Sequence, residues 1–537
     1  MLNQPSAEIH EPQARERGTW RASPEQVLRD TFGYPSFRAG QRELIDAVLA
    51  GRDALGVMPT GAGKSLAFQI PARILGGVTL VVSPLISLMK DQVDALTELG
   101  LRATYLNSSL SPEDKRERAA RVRRGEIELV YAAPEGLLAW VGSVLAGVPL
   151  SLLAVDEAHC ISTWGHDFRP AYRELAGLRQ RFARVPVLGL TATATREVTR
   201  DIVEQLGMHD PAIVRGSFFR PNLRLAAHAK SSRSAERRGS VRDDVLAVVD
   251  AHPRESGIVY CLSRRSVEST AAFLVENGCR AAAYHAGMPA EERSRVQDAF
   301  RNDDLEVVVA TIAFGMGIDK SNVRYVVHRD LPRSIEGYYQ EIGRAGRDGL
   351  PSDCVLFYSW AEVVTHERFA AEALPDVGAR MHAQAREMFR FAEATSCRHQ
   401  RLAHYFGERM EPCERSCDGC APESLPQLAR RPGRARRKTA RAPTRRLDGA
   451  RSPAAVGTLE LDDPPRAPGT LFDRLRVVRR QLADARRVPA FVIFSDATLL
   501  AMAAMRPTCA AELLEVPGVG PHKLASYGAA FLAALGS

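Results

Sequence analysis

The sequence lacks the long apolar segments and the export signal that would place a chain in or across a membrane. Its 537 residues contain no run of the roughly 18 apolar residues that a spanning helix needs. Residues 1–22 mix Gln, Glu, Arg and Pro without an apolar core, so they are neither a signal peptide nor a buried helix. We therefore expect a cytoplasmic protein with a disordered N-terminus, whose nine cysteines are reduced or bound to metal.

Lysine is also scarce, with seven lysines against 65 arginines, so a lysine at a special spacing is informative. The rest of the composition is that of a globular protein, 45% hydrophobic and 25% charged, which excludes a wholly disordered chain and a disulfide miniprotein. Residues 430–448 contain nine basic residues and one acidic residue, which accounts for the whole net charge of +8. This segment predicts contact with an acidic polymer, or equally a solvated linker in an arginine-rich chain.

Short apolar runs alternate with amphipathic helical patterns twice along the chain. Such alternation predicts parallel sheets with helices on both faces. The strands expected in the first series are 54–58, 78–83, 127–132, 152–156 and 187–190. Those in the second series are 257–261, 281–284, 306–310, 325–328 and 355–358. We therefore expect an α/β protein with two tandem domains of similar fold, at 23–212 and 213–365.

The remainder of the sequence predicts a helical, cysteine-containing module at 366–420, a linker at 421–470 and a small helical module at 471–537. The linker is rich in Pro, Arg and Gly and has no apolar periodicity. Four thiolates at short spacing in the first module predict a closed tetrahedral zinc site. The expected ligands are Cys397, Cys413, Cys417 and Cys420, with His399 and His404 as rival ligands.

A phosphate-binding loop is predicted where the strand at 54–58 meets the sequence PTGAGKS at 59–65, ahead of a helix. Its glycines allow backbone N–H groups to surround a phosphate at the helix N-terminus. Lys64 would reach the β and γ phosphates, and the Ser65 hydroxyl would hold Mg²⁺. The loop residues expected to contact the nucleotide also include Thr60, Gly61 and Gly63. The strict pattern has Gly where this chain has Met58, and a flexible turn is the alternative.

Two further motifs carry groups suited to phosphate hydrolysis. A strand ends in Asp156 and Glu157, of which the first would hold Mg²⁺ and the second would polarise the attacking water. The segment 338–347 contains Gln340 and two arginines, Arg344 and Arg347, three residues apart on one helical face. Arginine forks suit a transferring phosphate, although a solvated face with surface ion pairs would look the same. We expect the arginines to complete the site when the two domains close.

These motifs resemble those of superfamily 2 helicases, and further stretches narrow the resemblance to RecQ-type DNA helicases. Residues 32–41 resemble the adenine-recognition motif of that family, which implies that the base is held by Tyr34, Arg38 and Gln41. Residues 191–194 resemble the motif that links hydrolysis to motion. Residues 310–320 resemble the strand-contacting motif of the second domain, which implies a DNA contact at Thr311. The resemblance covers roughly residues 25–420 and resumes at 471–535.

Residues 159–170 resemble the aromatic-rich loop with which RecQ proteins sense single-stranded DNA. Trp164 and Phe168 would stack on bases and Arg169 would contact phosphate, unless the two rings simply pack under the loop. The last module resembles the helical domain shared by RecQ helicases and RNase D, called HRDC. Its glycine hairpin at 517–523 would offer N–H groups to a DNA phosphate or serve as a plain turn.

The resemblance implies two RecA-like domains, a helical zinc-binding module, a basic linker and a small all-α HRDC-like domain. It implies an ATP-dependent DNA helicase with ATP, Mg²⁺ and Zn²⁺, unwinding 3′ to 5′ in repair or recombination. We expect single-stranded and forked duplex DNA as partners, with single-strand-binding or repair proteins beside them, and a monomeric enzyme. Rival interpretations are a translocase or strand-annealing factor, an RNA helicase, and a scaffold without turnover. Because 421–470 cannot bury a core, we expect no winged-helix domain.

Overall fold

The computed structural model of the chain describes residues 22–421 and 470–536. Short gaps fall at 85, 136, 138–143, 146, 163–167, 231–239, 312–313, 315–319 and 487. No helix in these described stretches has the length and apolar character to cross a membrane. The expectations for residues 1–22 and for the linker, including the missing winged helix, fall outside the described residues.

The first structural unit is a seven-stranded sheet in which every strand pair is parallel. Its strands are β1 Ala54–Val57, β2 Val78–Val82, β3 Ala103–Leu106, β4 Leu129–Ala132, β5 Leu150–Val155, β6 Val187–Thr191 and β7 Ala212–Arg215. They lie in the order β3-β4-β2-β5-β6-β1-β7. The inner strands are almost wholly buried because helices cover both faces, which explains their continuous apolar runs.

Helices connect these strands and place the loops of the site. They are α1 Pro24–Phe32, α2 Gln41–Leu49, α3 Leu66–Leu75, α4 Ile86–Glu98, α5 Pro112–Arg123, α6 Pro170–Arg173, α7 Leu175–Arg181 and α8 Arg196–Gln205. A short 3₁₀ helix, Ala158–Ile161, follows β5. Helix α1 starts at a Ser23 capping box and ends at Gly33, whose positive φ of 72° turns the chain toward Tyr34.

The second unit is a six-stranded, all-parallel sheet with the order β10-β11-β9-β12-β13-β8. Its strands are β8 Leu223–Ala229, β9 Ser256–Tyr260, β10 Ala281–Tyr284, β11 Val307–Ala310, β12 Val323–His328 and β13 Ser352–Tyr358. Its helices are α9 Val241–Asp250, α10 Arg264–Glu276, α11 Ala290–Arg301 and α12 Ile335–Ile342. The expectation of two tandem parallel-sheet domains is therefore confirmed.

All ten expected strands are present, with ends that differ by at most three residues. Strands β3, β7 and β8 were not predicted; they are edge strands with mixed polar and apolar residues. Because β7 pairs with β1, the first sheet extends beyond residue 212, where we expected the first domain to end. A helix also begins at residue 360, ahead of the expected start of the third module at 366.

Two helical regions complete the described chain. The cysteine-containing region has α13 Trp360–Ala371, α14 Pro375–Glu393 and α15 Arg398–Tyr405. The terminal module has α16 Leu471–Arg486, α17 Ala490–Ile493, α18 Asp496–Met505, α19 Ala510–Leu514 and α20 Pro521–Gly536, around its own apolar core. Helices α17 and α20 pack against α4 and α1 of the first unit, so the terminal module lies beside the first sheet's helices.

Candidate active site

One cavity of about 470 Å³ collects the residues that the sequence predicted for nucleotide binding and hydrolysis. Its lining includes Tyr34, Arg38, Gln41, Thr60, Gly61, Gly63, Lys64, Ser65, Asp156, Glu157, Gln340, Arg344 and Arg347. A larger cavity of about 820 Å³ lies at the amino ends of β2, β4 and β5, and none of these residues lines it. Ligands of parallel sheets bind at the carboxyl ends of strands, so the smaller cavity is the candidate site.

The phosphate loop leaves β1 and is held by residues of the preceding helix. Gly61 and Gly63 have φ values of 84° and 74°, which only glycine adopts at low cost. The Gln41 amide donates to the carbonyls of Ala62 (2.9 Å) and Gly63 (3.0 Å). A methyl group on Gly63 would lie 2.6 Å from the Gln41 amide nitrogen, so it would displace the amide that holds the loop. Arg38 donates to the Gly61 carbonyl, which ties the expected adenine motif to the phosphate loop.

Charged groups of opposite sign converge at the base of the loop. The Lys64 ammonium donates to the carbonyls of Met58 (3.1 Å) and Pro59 (3.4 Å), and burial lowers its pKa. Burial, together with the negative charge of Glu157, raises the pKa of Asp156 to about 7. Two adjacent carboxylates in a desolvated site, with the Ser65 hydroxyl in the same lining, are the hard oxygen ligands that Mg²⁺ prefers.

Glu157 occupies a strained backbone conformation with a φ of 47°. Non-glycine residues in this left-handed region cost on the order of 1–3 kcal/mol and cluster at functional sites. The turn aims its carboxylate at His159, whose Nδ1 lies 3.3 Å from the Glu157 Oε2. The strain therefore places the expected water-polarising group beside a buried histidine.

Hydrogen bonds connect this histidine to the second unit. The Nδ1 atom of His159 lies 3.0 Å from the Thr191 Oγ1, which in turn accepts from the Thr193 backbone N–H at 3.2 Å. The Gln340 amide of α12 donates to the Thr193 hydroxyl at 3.3 Å. A continuous set of contacts thus runs from Glu157 through residues 191–193 to the second sheet.

The arginine-bearing turn after α12 touches the phosphate loop directly. A methyl group on Gly343 would lie 3.0 Å from the Thr60 Cβ, so the backbone of the turn closely approaches the Thr60 side chain. Arg344 is buried, and it lines the cavity together with Arg347. The structure therefore brings the two expected arginines to the phosphate loop across the interface between the two units.

The described residues that are expected to contact DNA do not line this cavity. Phe168 is exposed, with the Arg173 guanidinium 5.4 Å from its ring centroid. Arg169 donates to the Pro84 carbonyl (3.0 Å), and Thr311 follows the end of β11. Trp164 lies outside the described residues. A ring at the surface suits base stacking, whereas the guanidinium of Arg169 is engaged with the protein's own backbone in this conformation.

The four expected cysteines form one cluster, with all four Sγ atoms within 4.8 Å of one another. The Cys413 and Cys417 sulfurs are 3.5 Å apart, and the Cys417 and Cys397 sulfurs are 4.0 Å apart. Tetrahedral zinc with Zn–S bonds of about 2.3 Å requires S–S distances of about 3.8 Å, so the thiols fit zinc. Cys420 completes this four-cysteine site.

Neither rival histidine belongs to the cysteine cluster. The Nε2 of His399 lies 3.0 Å from the Leu223 carbonyl and 3.1 Å from the Ser416 carbonyl, and burial lowers its pKa to about 4. His404 is exposed on α15, outside the four-ligand group. The histidine at 399 therefore anchors the cluster's loop on the second sheet and leaves the metal to the thiols.

The terminal module supplies cavity residues that the sequence analysis missed, namely Phe491, Val492, Ser495 and Lys523. Lys523 donates to the Val492 carbonyl (2.8 Å), and burial lowers its pKa to about 8. The glycine hairpin faces the first unit, since the Gly518 N–H donates to the Gly33 carbonyl at 2.9 Å. The scarcity of lysine was the available signal, because Lys523 is one of seven in the chain.

Four known families match successive stretches of the chain. Residues 38–202 match the DEAD/DEAH box helicase family, and residues 240–349 match the helicase conserved C-terminal domain. Residues 360–421 match the RecQ zinc-binding family, and residues 469–535 match the HRDC domain. The fold resembles that of Mycobacterium smegmatis helicase Lhr bound to ssDNA and AMP-PNP, with a TM-score of 0.50 and 20% identity over 75% of this chain and 57% of that chain. At that identity the likeness concerns the fold alone.

Curated relatives match the chain along nearly its whole length. The "ATP-dependent DNA helicase RecQ" of Pasteurella multocida is 38% identical over 94% of this chain and 92% of its own length. The protein of the same name in Bacillus subtilis is 35% identical over 95% of this chain and 97% of its own length. With the nucleotide cavity, the four-cysteine cluster and the terminal module in place, the chain belongs to the RecQ helicase family.

Proposed function

We propose that this chain is an ATP-dependent DNA helicase that hydrolyses ATP in the cavity between its two parallel-sheet units. The observation that carries the proposal is the convergence of a phosphate loop, two acids and two arginines from different units on one cavity. Curated relatives covered over more than nine tenths of their length are named ATP-dependent DNA helicases. We assign binding of the triphosphate to the first unit and completion of the site to the second.

Residues of the first unit hold the nucleotide and prepare the attacking water. Backbone N–H groups of the loop and the ammonium of Lys64 bind the phosphates, while Tyr34, Arg38 and Gln41 lie where the base enters. Ser65 and Asp156 would hold Mg²⁺, which would neutralise charge on the phosphate oxygens. Glu157 orients the water, and its backbone turn fixes the direction of its carboxylate.

Residues of the second unit stabilise the charge that develops during hydrolysis. Arg344 and Arg347 reach the phosphates only while the turn after α12 rests on Thr60 of the loop. Gln340 connects the second unit to the hydrolytic site through its contact with Thr193 and the contact of His159 with Thr191. Opening and closing of the interface after each hydrolysis event would therefore change how the two units grip a strand.

We propose that single-stranded DNA contacts Phe168, Arg169, Thr311 and Trp164. The three described members of this set, Phe168, Arg169 and Thr311, do not line the nucleotide cavity, which is consistent with a strand path separate from the hydrolytic site. The proposal includes forked duplex DNA as substrate, unwinding from 3′ to 5′, a monomeric enzyme and a cytoplasmic location. The four-cysteine zinc site keeps the helical region folded against β8, where Leu225 pairs with Cys417.

The decisive experiment measures the ATPase rate with single-stranded DNA, duplex DNA and RNA, alongside displacement of a labelled strand from a forked duplex. A helicase shows stimulation by single-stranded DNA and strand displacement that requires ATP. Stimulation without displacement would identify a translocase or an annealing factor. Preferential stimulation by RNA, or the absence of turnover with every nucleic acid, would refute the proposal.

A further inference from the structure

Arg220 lies in the segment 216–222, which connects the two sheets. It is buried, with 8% of its surface exposed. Its guanidinium donates to three carbonyls of the turn that follows α12. These are Gly343 (3.1 Å), Ala345 (3.0 Å) and Gly346 (2.7 Å). Carbonyls beyond a helix C-terminus have no partner inside the helix, and a buried cation is the group best suited to bind them.

The same guanidinium packs against the phosphate loop. A methyl group on Gly61 would lie 3.5 Å from the Arg220 Cζ and Nη2 and 3.6 Å from its Nη1, so the loop rests on the flat face of the fork. Burial lowers the pKa of Arg220, and the charges of Arg347 and Arg38 lower it further. Positive charges therefore accumulate at a place where an anionic phosphate would relieve their repulsion.

Other contacts also tie the 216–222 segment to helix α12 and the turn that follows it. The Asn222 amide donates to the Gly346 carbonyl at 2.9 Å, and the Tyr339 hydroxyl donates to the Phe218 carbonyl at 3.0 Å. The Phe218 ring stacks on Phe406 with centroids 4.4 Å apart. Arg220 thus lies where the 216–222 segment, the arginine-bearing turn and the phosphate loop meet.

We propose that Arg220 is a positioning residue for ATP hydrolysis, which sets the 343–346 turn so that Arg344 and Arg347 meet the phosphates. The inference rests on the proposed function and deepens it, because it assigns the 216–222 segment a part in the chemical step. The guanidinium of Arg220 donates to carbonyls of the turn and not to the phosphates. It therefore acts on hydrolysis through Arg344 and Arg347, which the turn carries. A displaced turn would leave ATP bound to the first unit but would misplace the charges that stabilise the transition state.

The test compares Arg220→Gln and Arg220→Lys with the wild-type chain in steady-state ATPase assays with single-stranded DNA. We expect Arg220→Gln to lower kcat on the order of 10- to 100-fold, as misplacement by about 1 Å does, with KM for ATP changed less than about threefold. The lysine variant keeps the charge but loses the fork, so its kcat should fall between the two. Combining Arg220→Gln with Arg347→Ala should cost little more than the worse single variant.

Arg224→Ala is the matched control, since Arg224 is the second residue of β8 and pairs with Asp353 inside the second sheet. It should lower Tm and leave kcat unchanged. A kcat for Arg220→Gln within about twofold of wild type, or losses that multiply with those of Arg347→Ala, would overturn the inference. A wild-type chain without DNA-stimulated turnover would instead overturn the proposed function, so the two failures are distinguishable.

Discussion

Replacing Glu98 by alanine should release the terminal module from the first unit. Glu98, at the end of α4, accepts a hydrogen bond from the Tyr527 hydroxyl, and its carboxylate lies 3.2 Å from the Arg486 guanidinium. That guanidinium also lies over the Tyr527 ring, 4.7 Å from its centroid. The glutamate side chain is 17% exposed, so it anchors both groups in a desolvated contact.

The structure sets the size of the effect. A hydrogen bond to a charged group contributes about 1.5–3 kcal/mol, which applies to the bond from Tyr527. The Arg486 side chain is 42% exposed, so solvent screening reduces its ion pair to roughly 0.5 kcal/mol. Their sum of about 2–3.5 kcal/mol corresponds to a docking equilibrium weakened roughly 30- to 300-fold.

Hydrogen exchange at the Gly518 amide measures docking directly, because that N–H donates across the interface to the Gly33 carbonyl. Glu98→Ala should reduce its protection by the factor above and raise KM for ATP, since the module lines part of the nucleotide cavity. Glu117→Ala, an exposed glutamate on α5, should change neither quantity. Protection of Gly518 within about threefold of wild type in Glu98→Ala would refute the reasoning.

Three other perturbations test the site and the metal. Lys64→Ala should cut ATPase at least about tenfold and spare most DNA binding, because the ammonium contacts phosphate away from the strand path; higher residual activity would reject the loop assignment. Thr193→Val should lower the number of base pairs unwound per ATP by roughly fivefold, because it removes one hydrogen bond of about 1 kcal/mol to Gln340. An equal number of base pairs unwound per ATP in the variant and the wild type would contradict a role for that contact. Cys417→Ser should lower both zinc content and Tm, as structural zinc contributes on the order of 10 kcal/mol; metal analysis well below one zinc per wild-type chain would refute that site.

The sequence alone identified the candidate groups of the site that lie within a few consecutive residues. The loop at 59–65, the acids Asp156 and Glu157, and the segment 338–347 each carry their functional groups within one turn or strand end. Their local geometry follows from glycine conformations and helix periodicity, which short patterns specify. The nine inner strands were also predictable, since burial on both faces demands continuous apolar runs.

Three of the four edge strands, β3, β7 and β8, escaped prediction because one side of each strand meets a variable environment. Strand β8 is an example, since its Leu225 pairs with Cys417 from the zinc-binding region, some 190 residues later. Its sequence mixes arginine, histidine and alanine with leucine, so it lacks a continuous apolar run. Only the packed structure reveals the partners that bury such a strand.

Tertiary structure alone decided which distant groups share the nucleotide cavity. No local pattern in the sequence places Lys523 in the lining of the nucleotide cavity, assigns His399 to backbone carbonyls, or sets Arg220 on the turn that bears the two arginines. Each of these positions exists because a buried polar group must find a partner once the chain has folded. The partners that satisfy it come from elements far apart in sequence, so their identity is a property of the packing and cannot be read from neighbouring residues.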